Sequence, residues 1–212
     1  MLLEERNYYK PFNYPWAFEA YKTQQHMHWL PDEVPLADDL KDFREKLSDD
    51  NRKLLSNIFR FFTQADVDVA CGYATHYLPT FKQPEVRMML SAFANMEAVH
   101  QEAYSLLLET LGYDDSEYQM FTQVKAMSDK HEYLSMFDTK TDVGLAKTMA
   151  VYSAFTEGVQ LFSSFAILLN FPRHNFMKGM GQIVTWSIRD ETLHVESTVS
   201  YTHLTLPTSD LV

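Results

Sequence analysis

Apolar residues recur at three- and four-residue spacing through four long stretches of this chain, with polar residues between them, the pattern of helices that bury one face. Ser48 supplies an N-cap and Asp49 and Asp50 supply first-turn acids for a helix predicted to run to about Tyr77. Pro79 and Pro84 bracket its exit, and Pro84 with Glu85 suits the first turn of a second helix that continues to Leu111, where Gly112 supplies the C-cap. From Asp142 to Asn170 nearly every residue is small, apolar or aromatic, and Glu157 is the only acid after Asp142, which predicts a helix buried on most sides. Pro172 ends it, and a last helix starts near Asn175. A shorter helix is expected over Ala37 to Leu47. The more polar Tyr113 to Lys140 segment reads as a crossover holding short helices such as Ser116 to Met127. Residues 1–35, with Pro11, Pro15, Pro31, Pro35, Trp16 and Trp29, read as an irregular aromatic arm over the bundle.

Composition sharpens this to an all-α bundle. A chain of 212 residues that is 46% hydrophobic and 14% aromatic can bury a substantial core. It has only 6 Gly, and neither an Asn-Gly nor an Asp-Gly pair, so it lacks the hairpin punctuation of a β protein. The net charge of −11 excludes a phosphate-gripping surface, and hence nucleic acid as a partner. Cys71 is the single cysteine, which excludes an internal disulfide framework and a thiolate cluster and reads as a small buried hydrophobe. The start Met1-Leu2-Leu3-Glu4-Glu5-Arg6 lacks the basic and apolar blocks of a secretory signal. No apolar run approaches the roughly 20 residues of a membrane span, so a soluble cytoplasmic protein is expected.

The candidate chemistry lies in one pattern that occurs twice, Glu97-Ala98-Val99-His100 and Glu191-Thr192-Leu193-His194. At this spacing a helix stacks the carboxylate and the imidazole on one face. Two such helices, joined by two more that each carry one acid, form the inward ligand set of a two-metal carboxylate site in a four-helix bundle. Glu157 is one such acid. The other lies in Phe61-Phe62-Thr63-Gln64-Ala65-Asp66-Val67-Asp68, where Asp66 and Asp68 point in different directions and only one can be a ligand. Asp66 precedes Glu97 by nearly the separation between Glu157 and Glu191, about one helix, a turn and the return path. Four carboxylates converging in a core must either protonate or bind cations, and two divalent ions neutralise them. Oxygen-rich ligation with one imidazole per metal suits iron or manganese better than zinc, and oxygen-linked redox chemistry better than hydrolysis. Phe61, Phe62, Phe162, Phe165 and the methionines read as core. His26, His28, His76, His131 and His174 lack acids at helical spacing and read as ordinary polar residues.

Glu97-Ala98-Val99-His100-Gln101-Glu102-Ala103-Tyr104 resembles the Glu-x-x-His-x-x-x-Tyr signature of the radical-generating small subunit of class I ribonucleotide reductase, and Arg189-Asp190-Glu191-Thr192-Leu193-His194 resembles its second metal motif. The resemblance runs from about Trp29 to Ser197 and implies a ferritin-like bundle with a di-metal site. It implies that Asp66, Glu97 and His100 hold one metal and Glu157, Glu191 and His194 the other, with some glutamates bridging. Tyr104 would be oxidised to a stable radical, and Trp29 and Asp190 would link the site to the surface. Spacing places Tyr104 one turn past His100 on the same helix face, where Leu161 and Phe165 could wall its pocket. The cofactor implied is two iron ions per chain, with manganese as the alternative. The partners implied are a large subunit, which binds and reduces the ribonucleotide, and a second copy of this chain. The alternatives are another di-iron oxidase of the same bundle type, desaturase-like or ligand-binding, and an iron-storage protein.

Relatives in that family continue past the second metal motif with more helices and a docking tail. Here the stretch from Val199 to Val212 carries β-formers and Pro207 where a helix should go on. The expected organisation is therefore an arm over 1–35, a truncated helical domain over 36–197, and a non-native tail over 198–212 resembling a translated adaptor.

Overall fold

A computed structural model of the protein describes residues 2–205, with side chains for all of these except 121–122 and 201–205. The helices are α1 (Pro15–Met27), α2 (Ala37–Glu45), α3 (Asp49–Gly72), α4 (Leu78–Thr80), α5 (Pro84–Leu111), α6 (Lys125–Leu134), α7 (Asp142–Met149), α8 (Phe162–Arg173) and α9 (Lys178–Thr205). A π-helical stretch, Tyr73–Tyr77, joins α3 to α4, and a second, Ala150–Leu161, joins α7 to α8, so each pair forms one continuous rod. No strand occurs among the described residues.

The ends of the elements follow their local chemistry. The Ser48 hydroxyl accepts from the Asn51 N–H at 3.3 Å and opens α3. Gly112 closes α5 at φ 88°, a left-handed conformation that costs glycine nothing. The buried Asp39 of α2 accepts from the N–H groups of Gly179 (2.9 Å) and Met180 (2.8 Å), and Asp42 accepts from Met177 N–H at 3.0 Å. Two carboxylates from another helix thus satisfy the orphan donors at the start of α9, the helix that carries the second Glu/His pair.

Several sequence expectations change. The arm is not irregular throughout. Pro15 opens α1, whose Ala17, Ala20 and Gln24 form a buried stripe against α5 and α9. Its turn-like reading came from prolines that flank the helix rather than interrupt it. The helical pattern expected to break at Val199 continues to Thr205, while Pro207 and the rest of 206–212 lie outside the described residues. The helical run Asp142–Arg173 is long and apolar enough, by length and composition, to cross a membrane, contrary to the expectation. It contacts α9 and α3 and turns Glu157 into the core, where an uncompensated carboxyl would be costly in lipid.

The core consists of two apolar clusters. One gathers Leu55, Phe59, Phe62, Ala103, Tyr104, Leu161 and Phe165, and the other Tyr73, Tyr77, Val86, Met89, Leu90, Phe93 and Met149. A fully buried aromatic or leucine side chain contributes about 1.5–3 kcal/mol. Gly72 permits the close approach of α3 to the second π stretch, since a Cβ there would stand 2.7 Å from the Tyr152 ring. Cys71, expected to be buried, is exposed.

Candidate metal centre

The seam between the two clusters holds the ionisable residues. Asp66 comes from α3, Glu97 and His100 from α5, Glu157 from the π stretch after α7, and Glu191 and His194 from α9, and each of the six is at most 1% exposed. Helical periodicity aims each Glu/His pair inward, as its spacing implied. Glu157 needs more, because it projects from a π-helical segment, in which the Thr156 hydroxyl donates five residues back to the Val151 carbonyl at 2.9 Å. Such segments re-aim side chains at functional sites.

The distances have a two-fold character. Glu97 Oε1 lies 3.1 Å from His194 Nδ1, and its Oε2 lies 3.6 Å from His100 Nδ1. Glu191 Oε1 lies 3.3 Å from His100 Nδ1, and its Oε2 lies 3.5 Å from His194 Nδ1. Both glutamates therefore span the two imidazoles, while Glu157 Oε1 sits at the His194 end only, 3.8 Å from its Nδ1. Donor atoms of Glu97, Glu157, Glu191 and His194 all fall within 4.8 Å of one another. Asp66 joins this group electrostatically, through Glu97, His100 and Glu191.

A ring of hydrogen bonds behind the cluster sets which imidazole nitrogen faces inward. The Asp190 carboxylate accepts from Trp29 Nε1 (2.8 Å), His100 Nε2 (3.2 Å) and Gln24 Nε2 (3.0 Å). With its amide nitrogen committed to Asp190, Gln24 presents Oε1 to His194 Nε2 at 3.1 Å, so His194 carries a proton on that nitrogen. Both Nδ1 lone pairs are then left for the interior, the orientation that metal-binding histidines need. Gln24 escaped sequence reasoning because it lies in the arm read as irregular, and no local spacing links it to its partners. Tyr73 was missed likewise; its O–H donates to Glu157 Oε1 at 2.9 Å.

Left to itself, the cluster is electrostatically unfavourable. Burial first, then the Glu97 charge, raises Asp66 well above the usual carboxyl range, and burial with Glu191 pushes Glu157 up to about 8. Against the cost of burial, the neighbouring Glu191 and Glu97 carboxylates push His194 up to about 10, and Asp190, Glu191 and Glu97 raise His100. Glu191 goes the other way, because the two imidazoles outweigh its burial. Protons thus hold the charges together. Even so, Asp66 Oδ2, Glu157 Oε2, His194 Nδ1 and both oxygens of Glu97 and Glu191 have no hydrogen-bond partner. So many orphaned polar atoms at one point fit two divalent cations displacing the protons, and the oxygen-rich donor set matches iron or manganese.

Tyr104 lies a turn beyond His100 in an apolar pocket. Its ring stacks on Phe62 with centroids 4.8 Å apart, and Phe62 stacks on Phe165 at 5.0 Å, with Leu161 in the same cluster. Its hydroxyl has only a long contact, 3.4 Å, to Ser187 Oγ. Burial, and next the Asp66 charge, raise its pKa, so the phenol keeps its proton at neutral pH. Asp68, the other acid left open by spacing, faces away and is bonded to Gln64 and His131. His131 is therefore paired across helices, a contact that sequence spacing on one helix did not reveal.

A family model described as ribonucleotide reductase, small chain, matches residues 6–208. The chain is 51% identical over 212 residues to a probable ribonucleoside-diphosphate reductase small subunit of Invertebrate iridescent virus 6, covering 93% of this chain and 59% of that protein. It is 31% identical to a ribonucleoside-diphosphate reductase subunit beta of Chlamydia pneumoniae, over 87% of this chain and 58% of that one. The chain thus spans less than two thirds of the length of these relatives. Among solved structures, a putative class I ribonucleotide reductase from Bacillus halodurans has the same fold, with a TM-score of 0.83 at 21% identity, covering 91% of this chain and 70% of that one. The dimanganese(II)-NrdF of Streptococcus sanguinis gives a TM-score of 0.79 at 21% identity, covering 96% and 74% of the two chains.

Proposed function

Because the chain belongs to the ribonucleotide reductase small-chain family, we propose that it is the metal-holding, radical-generating part of a ribonucleoside-diphosphate reductase small subunit. The observation that carries this reading is the pair of buried glutamates, Glu97 and Glu191, each spanning both imidazoles with both oxygens unpartnered. In this reading Asp66, Glu97 and His100 hold one metal, and Glu157, Glu191 and His194 the other. Glu97 and Glu191, each facing both imidazoles, would be shared between the two metals. Iron is the leading metal and manganese the alternative. When bound, the pair supplies the oxidising power, drawn from oxygen, that turns a phenol into a radical.

The chain's own residues do the rest. Tyr104 is the phenol that gives up an electron and a proton, and the Phe62 and Phe165 stack keeps water from its ring. His100, Asp190 and Trp29 form a hydrogen-bonded path from the metal end toward the arm, the route for an electron drawn from outside. Gln24 locks the tautomers of that path and of His194 together. The partners are a large subunit that binds and reduces the ribonucleotide and a second copy of this chain, in the cytoplasm.

Anaerobic titration of the purified chain with ferrous or manganous ion tests the reading. Two ions per chain, lost together in Glu97→Ala, are expected. A single ion, or uptake unaffected by that substitution, would overturn it.

A further inference from the structure

Outside the metal centre, the crossover helix α6 lays an unpaired cation against α3. Lys130 Nζ is out of contact with solvent and has no hydrogen-bond partner. It rests over the Phe61 ring, 4.7 Å from its centroid. Around it Phe61, Gln64, Ala65, Asp68 and Met127 line a cavity of about 10 Å³, room for one water at most. Three of these five residues, Gln64, Ala65 and Asp68, flank Asp66 in sequence on α3.

A lysine that only needed to reach water would extend its amine outward along its flexible stem. This one does not. The natural acceptor, Asp68 Oδ1, is already taken by Gln64 Nε2 and His131 Nδ1, each at 2.8 Å. Burial pushes the Lys130 amine down to about 8, while Asp68 and Asp66 oppose that fall, so it remains mostly charged at pH 7. Lys130 in turn lowers Asp66. Among the described residues no lysine or arginine is placed likewise at the other end of the cluster, where Glu157 receives a neutral O–H from Tyr73.

We propose that Lys130 is a charge-setting residue for the metal at the Asp66 end: its fixed ammonium raises the electrostatic potential there and favours the lower oxidation state of that metal. This rests on the di-metal reading above. A buried charge acts through a weakly screening medium, so its influence survives physiological salt. It makes the two ends of the pair unequal, although their ligand sets of one aspartate or glutamate, one histidine and the shared bridges are nearly matched.

The test is a spectroelectrochemical titration of the iron-loaded chain at pH 7, preceded by a count of bound iron. Lys130→Met and the polar neutral Lys130→Gln are compared with Lys130→Arg. Two irons per chain in every variant, a lower reduction potential in the Met and Gln variants, and recovery toward the parent value in the Arg variant are expected. Unchanged potentials in the neutral variants with two irons bound would overturn the inference and leave the function standing. Failure of the parent chain to bind two irons would overturn the function and the inference with it. A merely structural lysine would alter thermal stability without moving the potential, and that outcome also counts against the proposal. The Gln variant offers a polar neutral group in place of an apolar one, which guards the comparison if the Met variant does not fold.

Discussion

Two buried tyrosines stand at opposite ends of the same carboxylate cluster, each 1% exposed, and differ in what holds the hydroxyl. Tyr73 donates to Glu157 at 2.9 Å and meets Tyr77 and Phe93 edge-on. Tyr104 makes only the 3.4 Å contact with Ser187 and stacks face to face on Phe62. The first supports a buried carboxylate, fixed by a hydrogen bond whose loss leaves a buried acceptor unsatisfied. The second is a phenol left nearly free in a dry aromatic slot beside the same charges. Proximity to the cluster alone therefore does not distinguish the two tyrosines; the freedom of the hydroxyl does.

The largest effect should come from the residue both ends share. Glu97→Ala removes a carboxylate that faces both imidazoles, and metal uptake measured by titration should fall from two ions to none. Next, Tyr104→Phe should leave metal uptake intact and abolish any tyrosyl radical. Tyr73→Phe should keep the radical and weaken metal retention at the Glu157 end about tenfold, as loss of support behind a ligand typically does. Gln24→Leu should reduce affinity at the His194 end by a similar factor, since that ring loses the bond fixing its tautomer.

Metal binding should also depend on pH with a definite sign. In the metal-free chain Glu157 is pushed up to about 8, so below that pH a proton must leave before the carboxylate can ligate. Affinity should rise from pH 6 to 8, with proton release detected by calorimetry in buffers of different ionisation enthalpy. The same shift implies that the folded metal-free chain holds a proton its unfolded form has lost. Stabilisation from this group is complete below the ordinary glutamate range and is lost as pH rises through about 8. The smallest effect should be purely structural. Asp39→Ala, at the start of α9, should cost about 1–3 kcal/mol in denaturant unfolding by orphaning two buried N–H groups.

The sequence exposed the parts of this site that obey a local period. Glu97 with His100 and Glu191 with His194 are pairs on one helix face, and the apolar spacing around them gave the starts of the long helices to within a few residues, though not the π-helical interior or the end of α9. Choosing Asp66 over Asp68 required the family resemblance, because both lie on a good helix and differ only in direction. Gln24, Tyr73 and Lys130 left no trace in the sequence, since each acts on a partner far along the chain and no periodicity encodes such a meeting. The arm was misread because prolines at its ends masked the alanine and glutamine stripe of α1. Cys71 was misread because composition alone does not say which face of α3 a small residue occupies.

In the proposed reading Tyr104, and not Tyr73, is the redox phenol of a di-metal centre. The most direct measurement is electron paramagnetic resonance of the chain after anaerobic loading with ferrous iron and exposure to oxygen, alongside Tyr104→Phe and Tyr73→Phe. A tyrosyl doublet in the parent chain and in Tyr73→Phe, absent from Tyr104→Phe, is the predicted result. A doublet that survives in Tyr104→Phe, or metal uptake with no radical in any of the three, would contradict it.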